Sequence, residues 1–407
     1  MPKTIATTPS WYWPDGLPRV LGIPPLPLVR LSVDRQAERA PSRPALVCAD
    51  RTITAGELAT GVAAVAAALG PGGAGSGAVA VCAGPSADGI VSVLGALASR
   101  RRVLLVDPGS KAVTDALAAT PVAVTLADED GAAVLGGAGV PTTGLDTLES
   151  APTAGEGPPG EGHAGGGLTA PSVCLSGGSG PLWHSQRSLL AGALALRAFL
   201  APVAGSSWLE MASPCSWDGL CAVLTALLAG VTVVAARPGV EAEEAFERHQ
   251  PAWTSSSLDL ARASWAGGGR KRRRQVGTGR CVLVTVDGPF DPDECRALAG
   301  ATGADVLTMF GTAETGPVLA SHPSWHLDES VGIPVPNMHI VPADPDTGEP
   351  VDVLWELLDR AMVSVWSPSL ALEGFVPGPG TPAGGRFVTG VLAASDPNGM
   401  LYLVDEW

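Results

Sequence analysis

The chain has 407 residues, 46% of them hydrophobic, which is enough for two or three domains with large buried cores. Its net charge is −15, from 25 Lys and Arg against 40 Asp and Glu, so no basic face dominates it. That balance excludes an intrinsically disordered chain, a collagen-like repeat, and a general binder of nucleic acid or anionic membrane.

Seven cysteines (Cys48, Cys82, Cys174, Cys215, Cys221, Cys281, Cys295) lie in apolar runs, with no C-x-x-C pair. They read as buried free thiols of a reducing compartment. Only Lys3 and a Trp11-Tyr12-Trp13-Pro14 segment mark the start, so no signal peptide is expected and a cytoplasmic location is. The longest apolar stretch, Leu220 to Ala236, is interrupted by Thr225, Gly230 and Thr232, and reads as a helix then a strand rather than a membrane span.

In chain order, residues 1–30 are Pro-rich and predict an extended arm. Ala45 to Ala49 predicts a strand. Thr54 and Glu57 have the capping-box spacing and open a helix to Leu69, which Gly70 to Gly77 breaks. Strands at Ala78–Ala83, Val103–Val106 and Val122–Leu126 then alternate with helices at Ala87–Ser99 and Lys111–Ala119. Such alternation means βαβ units and a mostly parallel sheet. Residues 151–170 form a Gly/Pro-rich loop, 171–330 a second alternating block, and 331–407 a smaller β-rich portion. The expected fold class is α/β: two stacked βαβ-type subdomains with mixed sheets (31–150 and 171–330) plus the β-rich subdomain.

Ligands in such folds sit beyond the carboxyl ends of the strands, where glycine-rich loops gather. One candidate is Ser176-Gly177-Gly178-Ser179-Gly180, after an apolar strand and before the helix opened by Gln186. Converging amides and hydroxyls there suit an anion, although a tight turn looks the same.

Six segments come in a telling order: Thr54 to Ala64, Leu105 to Pro108, the Gly/Ser loop, Phe310-Gly311-Thr312-Ala313-Glu314-Thr315, Gly332 to Pro336, and Arg386 to Gly390. Together they resemble the adenylate-forming superfamily of acyl-CoA synthetases, nonribosomal-peptide adenylation domains and luciferases, from about Leu31 onward. The resemblance implies the large core of an adenylation domain. It also implies activation of a carboxylate with ATP and Mg, and transfer of the acyl group to a thiol.

Several family residues are replaced. Trp183 stands where the resemblance expects the phosphate-loop lysine, and Ala313 lacks the expected hydroxyl. Val391 replaces the acid that grips the ribose, and Asp405-Glu406 replaces a Gly-Arg hinge. The sequence stops at Trp407, so the lid domain and its lysine are expected to be absent. Each lost charged hydrogen bond removes about 1.5–3 kcal/mol, which together weakens nucleotide use by orders of magnitude. Phe310 remains able to stack on a base, and Glu314 to hold Mg.

Trp217-Asp218 resembles the segment in which amino-acid-activating domains pair an Asp with the substrate ammonium; capping of the next helix is the alternative for Asp218. Asp287-Gly288 falls at one wall of the implied pocket. The basic run Arg270-Lys271-Arg272-Arg273-Arg274 reads either as a solvated loop or as a dock for a carrier protein or its phosphopantetheine phosphate. Three functions stay open. One is a degenerate adenylation-like protein of nonribosomal-peptide or polyketide assembly that binds an acyl or aminoacyl ligand or a carrier protein. Another is a split ligase completed by a separate lid-domain protein. The third is an ATP-independent acyltransferase, with Ser176, Ser179, Cys221 or His184 as nucleophile or base.

Overall fold

The computed structural model describes residues 13–49, 51–70, 77–110, 113–144, 168–170, 172–177, 180–265, 279–324, 326–351, 360–373, 386–397 and 399–405, with Ser176 and Gly177 as backbone only. The loop expected over 151–170 therefore lies mostly outside the described residues, and the basic run Arg270 to Arg274 wholly so.

Regular structure begins at Arg30 with a short π-helical turn that continues as the helix Arg35–Arg39. Strands β1 (Pro44–Cys48) and β2 (Arg51–Thr54) form a hairpin. Thr54 then caps the helix Ala55–Leu69 through the capping box with Glu57 that the sequence predicts. Strands β3 (Ala78–Cys82), β4 (Val103–Val106), β5 (Val122–Ala127), β6 (Val173–Gly177) and β7 (Gly180–His184) build one sheet in the order β5-β3-β4-β6-β7. All neighbours in it are parallel except β6 and β7. Both faces of β3 and β4 are buried, as expected of parallel strands covered by helices. The helix Ala87–Ala98 is buried almost throughout, and Gly95 lets it approach the helix Ala55–Leu69: a Cβ there would lie 2.5 Å from Val65 side-chain atoms.

The second block adds β8 (Ser207–Glu210), β9 (Thr232–Ala235), β10 (Trp253–Ser257), β11 (Cys281–Val286), β12 (Asp305–Thr312), β13 (Gly316–Ala320) and β14 (Ile333–Pro334). The second sheet has nine strands in the order β14-β13-β12-β11-β10-β8-β9-β1-β2. Strands β15 (His339–Ala343), β16 (Ala361–Trp366), β17 (Phe387–Ser395) and β18 (Leu401–Val404) form a separate antiparallel sheet.

Sheet membership does not follow chain order. The β1–β2 hairpin leaves the first block and pairs in parallel with β9, Leu46 beside Val233, while β6 and β7 join the first sheet rather than the second. Nothing local to these strands names a partner so distant in sequence. Among the described residues no helix is long and apolar enough to cross a membrane. All seven cysteines are free, and all but the half-buried Cys48 are buried.

Candidate functional site

The helices Gln186–Leu200 and Trp217–Ala229 meet the β12–β13 turn at a crevice of about 20 Å³, lined by His184, Ser188, Trp217, Cys221, Pro317 and Ser369 among others. A space of that size holds about one water. Trp217 is one of its walls. A Cβ on Gly311 would lie 2.7 Å from Trp217 Cη2 and 2.4 Å from the Gly316 carbonyl oxygen, so the indole reaches the strand only because position 311 is glycine.

His184 ends β7 and is 2% exposed. Its Nε2 lies 2.8 Å from the Ala313 carbonyl oxygen. A carbonyl only accepts, so Nε2 carries the hydrogen and Nδ1 is left as an acceptor 3.4 Å from Ser188 Oγ. Burial pushes this imidazole down to about 4, against the opposing pull of the Ala313 carbonyl and the Glu314 charge. It is a neutral base at neutral pH. Its neighbour is nevertheless engaged elsewhere: Ser188 Oγ lies 3.0 Å from the Ser185 carbonyl, and it accepts from Ser185 N–H within a reciprocal cap. The geometry is that of a helix cap, with no activated serine.

Cys221 lines the same crevice, and burial drives its thiol up to about 12, which favours the protonated form at neutral pH. Ser176 and Ser179 side chains lie outside the described residues, as does Gly178. The described part of the Gly/Ser loop is a hairpin end, with Gly180 at φ +122° paired to Gly177.

The cap of the helix Trp217–Ala229 is Ser216, whose Oγ accepts from Gly219 N–H at 3.2 Å. Asp218 is therefore not the cap. It sits in the first turn, where Ser216 Oγ lies 2.6 Å from its Oδ1, and it is not among the residues lining the crevice. Asp287 is exposed beyond β11, and neither it nor Gly288 lines the crevice.

The nucleotide motifs fare differently from one another. Phe310 is 0% exposed within the core, on β12 between Val286 of β11 and Leu319 of β13. Thr312 and Thr315 are spent on each other, with Thr315 Oγ1 accepting from Thr312 N–H at 3.1 Å. The Glu314 main chain accepts from Ala371 N–H at 2.7 Å, and its half-buried carboxylate acts on His184. Trp183, in the lysine's place, is buried under the Arg102 guanidinium at 3.7 Å, and its main-chain N–H donates to the Glu373 carbonyl. Val391 packs against the core where the ribose acid would stand. Among the described residues no group of three or more His, Cys, Asp or Glu is arranged to hold a metal. Among the described residues, these motifs therefore present one carboxylate, Glu314, a buried aromatic, Phe310, and an apolar side chain at Val391.

Ser188, Gly192, Pro317 and Ser369 complete the crevice and carry no motif in sequence. Only the spacing of Ser185 and Ser188 gives a local signal, and that signal is for a cap.

The family model described as AMP-binding enzyme matches residues 33–152 and 182–354. No curated relative matches the chain by sequence. Among solved structures, the nonribosomal peptide synthetase FmoA3 (S1046A) matches at 20% identity and a TM-score of 0.76, covering 95% of this chain and 43% of that one. The chain thus spans less than half the length of that synthetase. The o-succinylbenzoate CoA synthetase MenE from Bacillus subtilis matches at 18% identity and a TM-score of 0.73, covering 93% of this chain and 78% of that one. A MenE structure in complex with ATP and magnesium matches at 19% identity and a TM-score of 0.71, covering 92% and 99%. At these identities the likeness is one of fold, and the fold is the adenylation-domain core. The matched family model spans most of the sequence, and the chain belongs to the AMP-binding enzyme family, within the adenylate-forming superfamily.

Proposed function

We propose that this chain uses the adenylate-forming scaffold to engage a partner of nonribosomal-peptide or polyketide assembly, an acyl- or peptidyl-carrier protein, without itself forming an acyl-adenylate. The observation that carries this is the crevice of about 20 Å³ beside Trp217, too small for an acyl or aminoacyl group. Val391 and the buried Phe310 support it from the nucleotide side. A pocket that cannot admit a carboxylate substrate has no use for triphosphate charge, and these losses point the same way.

The test is ATP–pyrophosphate exchange with a panel of amino and aryl acids, beside calorimetry with ATP and with a phosphopantetheinylated carrier protein. The expected result is no exchange, no ATP affinity in the micromolar range, and measurable carrier binding. Micromolar ATP binding with turnover overturns the proposal. Exchange that appears only when a separate lid-domain protein is added identifies the split ligase instead.

A further inference from the structure

A second and much larger cavity, of about 830 Å³, shares no lining residue with the crevice. Its walls are the arm from Pro25 to Asp34, one face of the helix Ala55–Leu69, the end of the helix Ala87–Ala98 with Arg100 and Arg101, and Leu168, Ser172 and Gln186. The volume falls within the range of about 300–1,000 Å³ usual for small-molecule sites.

The helix Ala55–Leu69 presents Ala59, Val62, Ala63 and Ala66 to it, at the i, i+3, i+4, i+7 spacing of a single face. Leu26 and Leu97 extend this apolar wall. Gln186 braces the floor, donating from Nε2 to the Leu97 carbonyl at 2.8 Å while its Oε1 accepts from Leu28 N–H at 3.4 Å. Leu26 and Val29 of the arm are therefore held in place as part of the wall.

The charged groups of the lining are Arg30, Arg100 and Arg101 with one acid, Asp34. Arg30 is neutralised by Asp34 at 3.6 Å and Glu38 at 2.5 Å. Arg101 fixes its fork on the Leu69 and Gly77 carbonyls at 3.1 and 2.8 Å, yet none of its hydrogen bonds meets an acid. Its buried Nε and the buried Ser172 Oγ find no hydrogen-bond partner among the described residues. Arg100 is exposed, at φ +61°, and makes no ion pair among the described residues. In a chain of net charge −15, two cations without acid partners among the described residues, in the lining of a mainly apolar cavity, are a complementary site for an anion.

We propose that this cavity binds an amphipathic carboxylate, an apolar chain or ring with one acidic head, its body along Ala63, Ala66 and Leu97 and its head on Arg100 and Arg101. The proposal goes beyond the partner-docking reading and stands apart from it, because no residue of the crevice takes part.

Calorimetric titration of the full chain with dodecanoate tests it, with dodecanol as the uncharged arm. Dodecanoate is expected to bind, and dodecanol more weakly. Ala63→Trp, which fills the cavity from an exposed helix position, and Arg100→Glu, which reverses the charge, are each expected to weaken dodecanoate binding by about tenfold or more. Absence of binding to the parent chain overturns the proposal, as does unchanged affinity in either variant or equal affinity for dodecanol. Pyrophosphate exchange is read separately, so failure here leaves the functional reading untouched.

Discussion

His184 donates from Nε2 to the Ala313 carbonyl at 2.8 Å, tying the end of β7 to the turn that carries Glu314. Burial outweighs that bond and the nearby charge, so the folded protein keeps the ring neutral down to about pH 4, while the unfolded chain protonates it near its ordinary 6.5. The unfolded state therefore binds more protons across that window. Stability from this residue is complete above pH 6.5 and falls on acidification, by about 3 kcal/mol at pH 4. Urea unfolding across the window measures the slope, and His184→Asn is expected to flatten it.

Trp217 against Gly311 gives a second prediction. Gly311→Ala would set a methyl against both the indole and the Gly316 carbonyl, costing about 1–3 kcal/mol in thermal or denaturant unfolding. Trp217→Ala would open the crevice and cost less than the roughly 3–5 kcal/mol of a fully buried Trp, since this one is half-buried. The opened space is expected to bind a small aromatic such as indole, detectable by calorimetry and absent in the parent chain.

Glu210 lies fully buried on β8, bonded to Ser255 Oγ and accepting from Ala212 N–H at 2.7 Å. Trp208 Nε1 donates to the same Ser255 hydroxyl at 2.6 Å. Burial raises this carboxyl well above its ordinary 4.5, more than these hydrogen bonds lower it. The folded state then binds the extra proton, so stability declines as pH rises above 4.5 until the folded group ionises. Glu210→Gln keeps the hydrogen-bonding shape without the ionisable proton. It is expected to be more stable than the parent at pH 7 and to lose that part of the pH slope.

The thiols give a chemical prediction. Burial pushes Cys48 up to about 11 and Cys82 and Cys221 up to about 12, and no disulfide competes for them. Iodoacetamide at pH 8 should label the native protein slowly, Cys48 first, and all seven positions only after denaturation, as read by intact-mass spectrometry.

Much of the fold was legible where the signal is local. The Thr54–Glu57 capping box, the strand Val103–Val106 and the strand at Val122 stand where their patterns predict. Period and capping act within a few residues, so the chain displays them directly. The site was less legible. The sequence reads Trp183 and His184 as part of a phosphate loop, whereas they end the edge strand β7 and touch Arg102, Ala313 and Glu373. Asp218 reads as helix cap or as ligand partner, the cap being favoured, and the hydroxyl two residues earlier takes the cap.

By itself, the sequence determined the alternating α/β character, the buried free thiols and the family, because periodicity, composition and short motifs are properties of neighbouring residues. Only the tertiary structure decided that β1 and β2 leave their block for the nine-stranded sheet, that Phe310 turns into the core, and that Trp217 packs against Gly311. Those outcomes depend on which distant surfaces meet, and on the volume left between them, quantities that no local pattern carries.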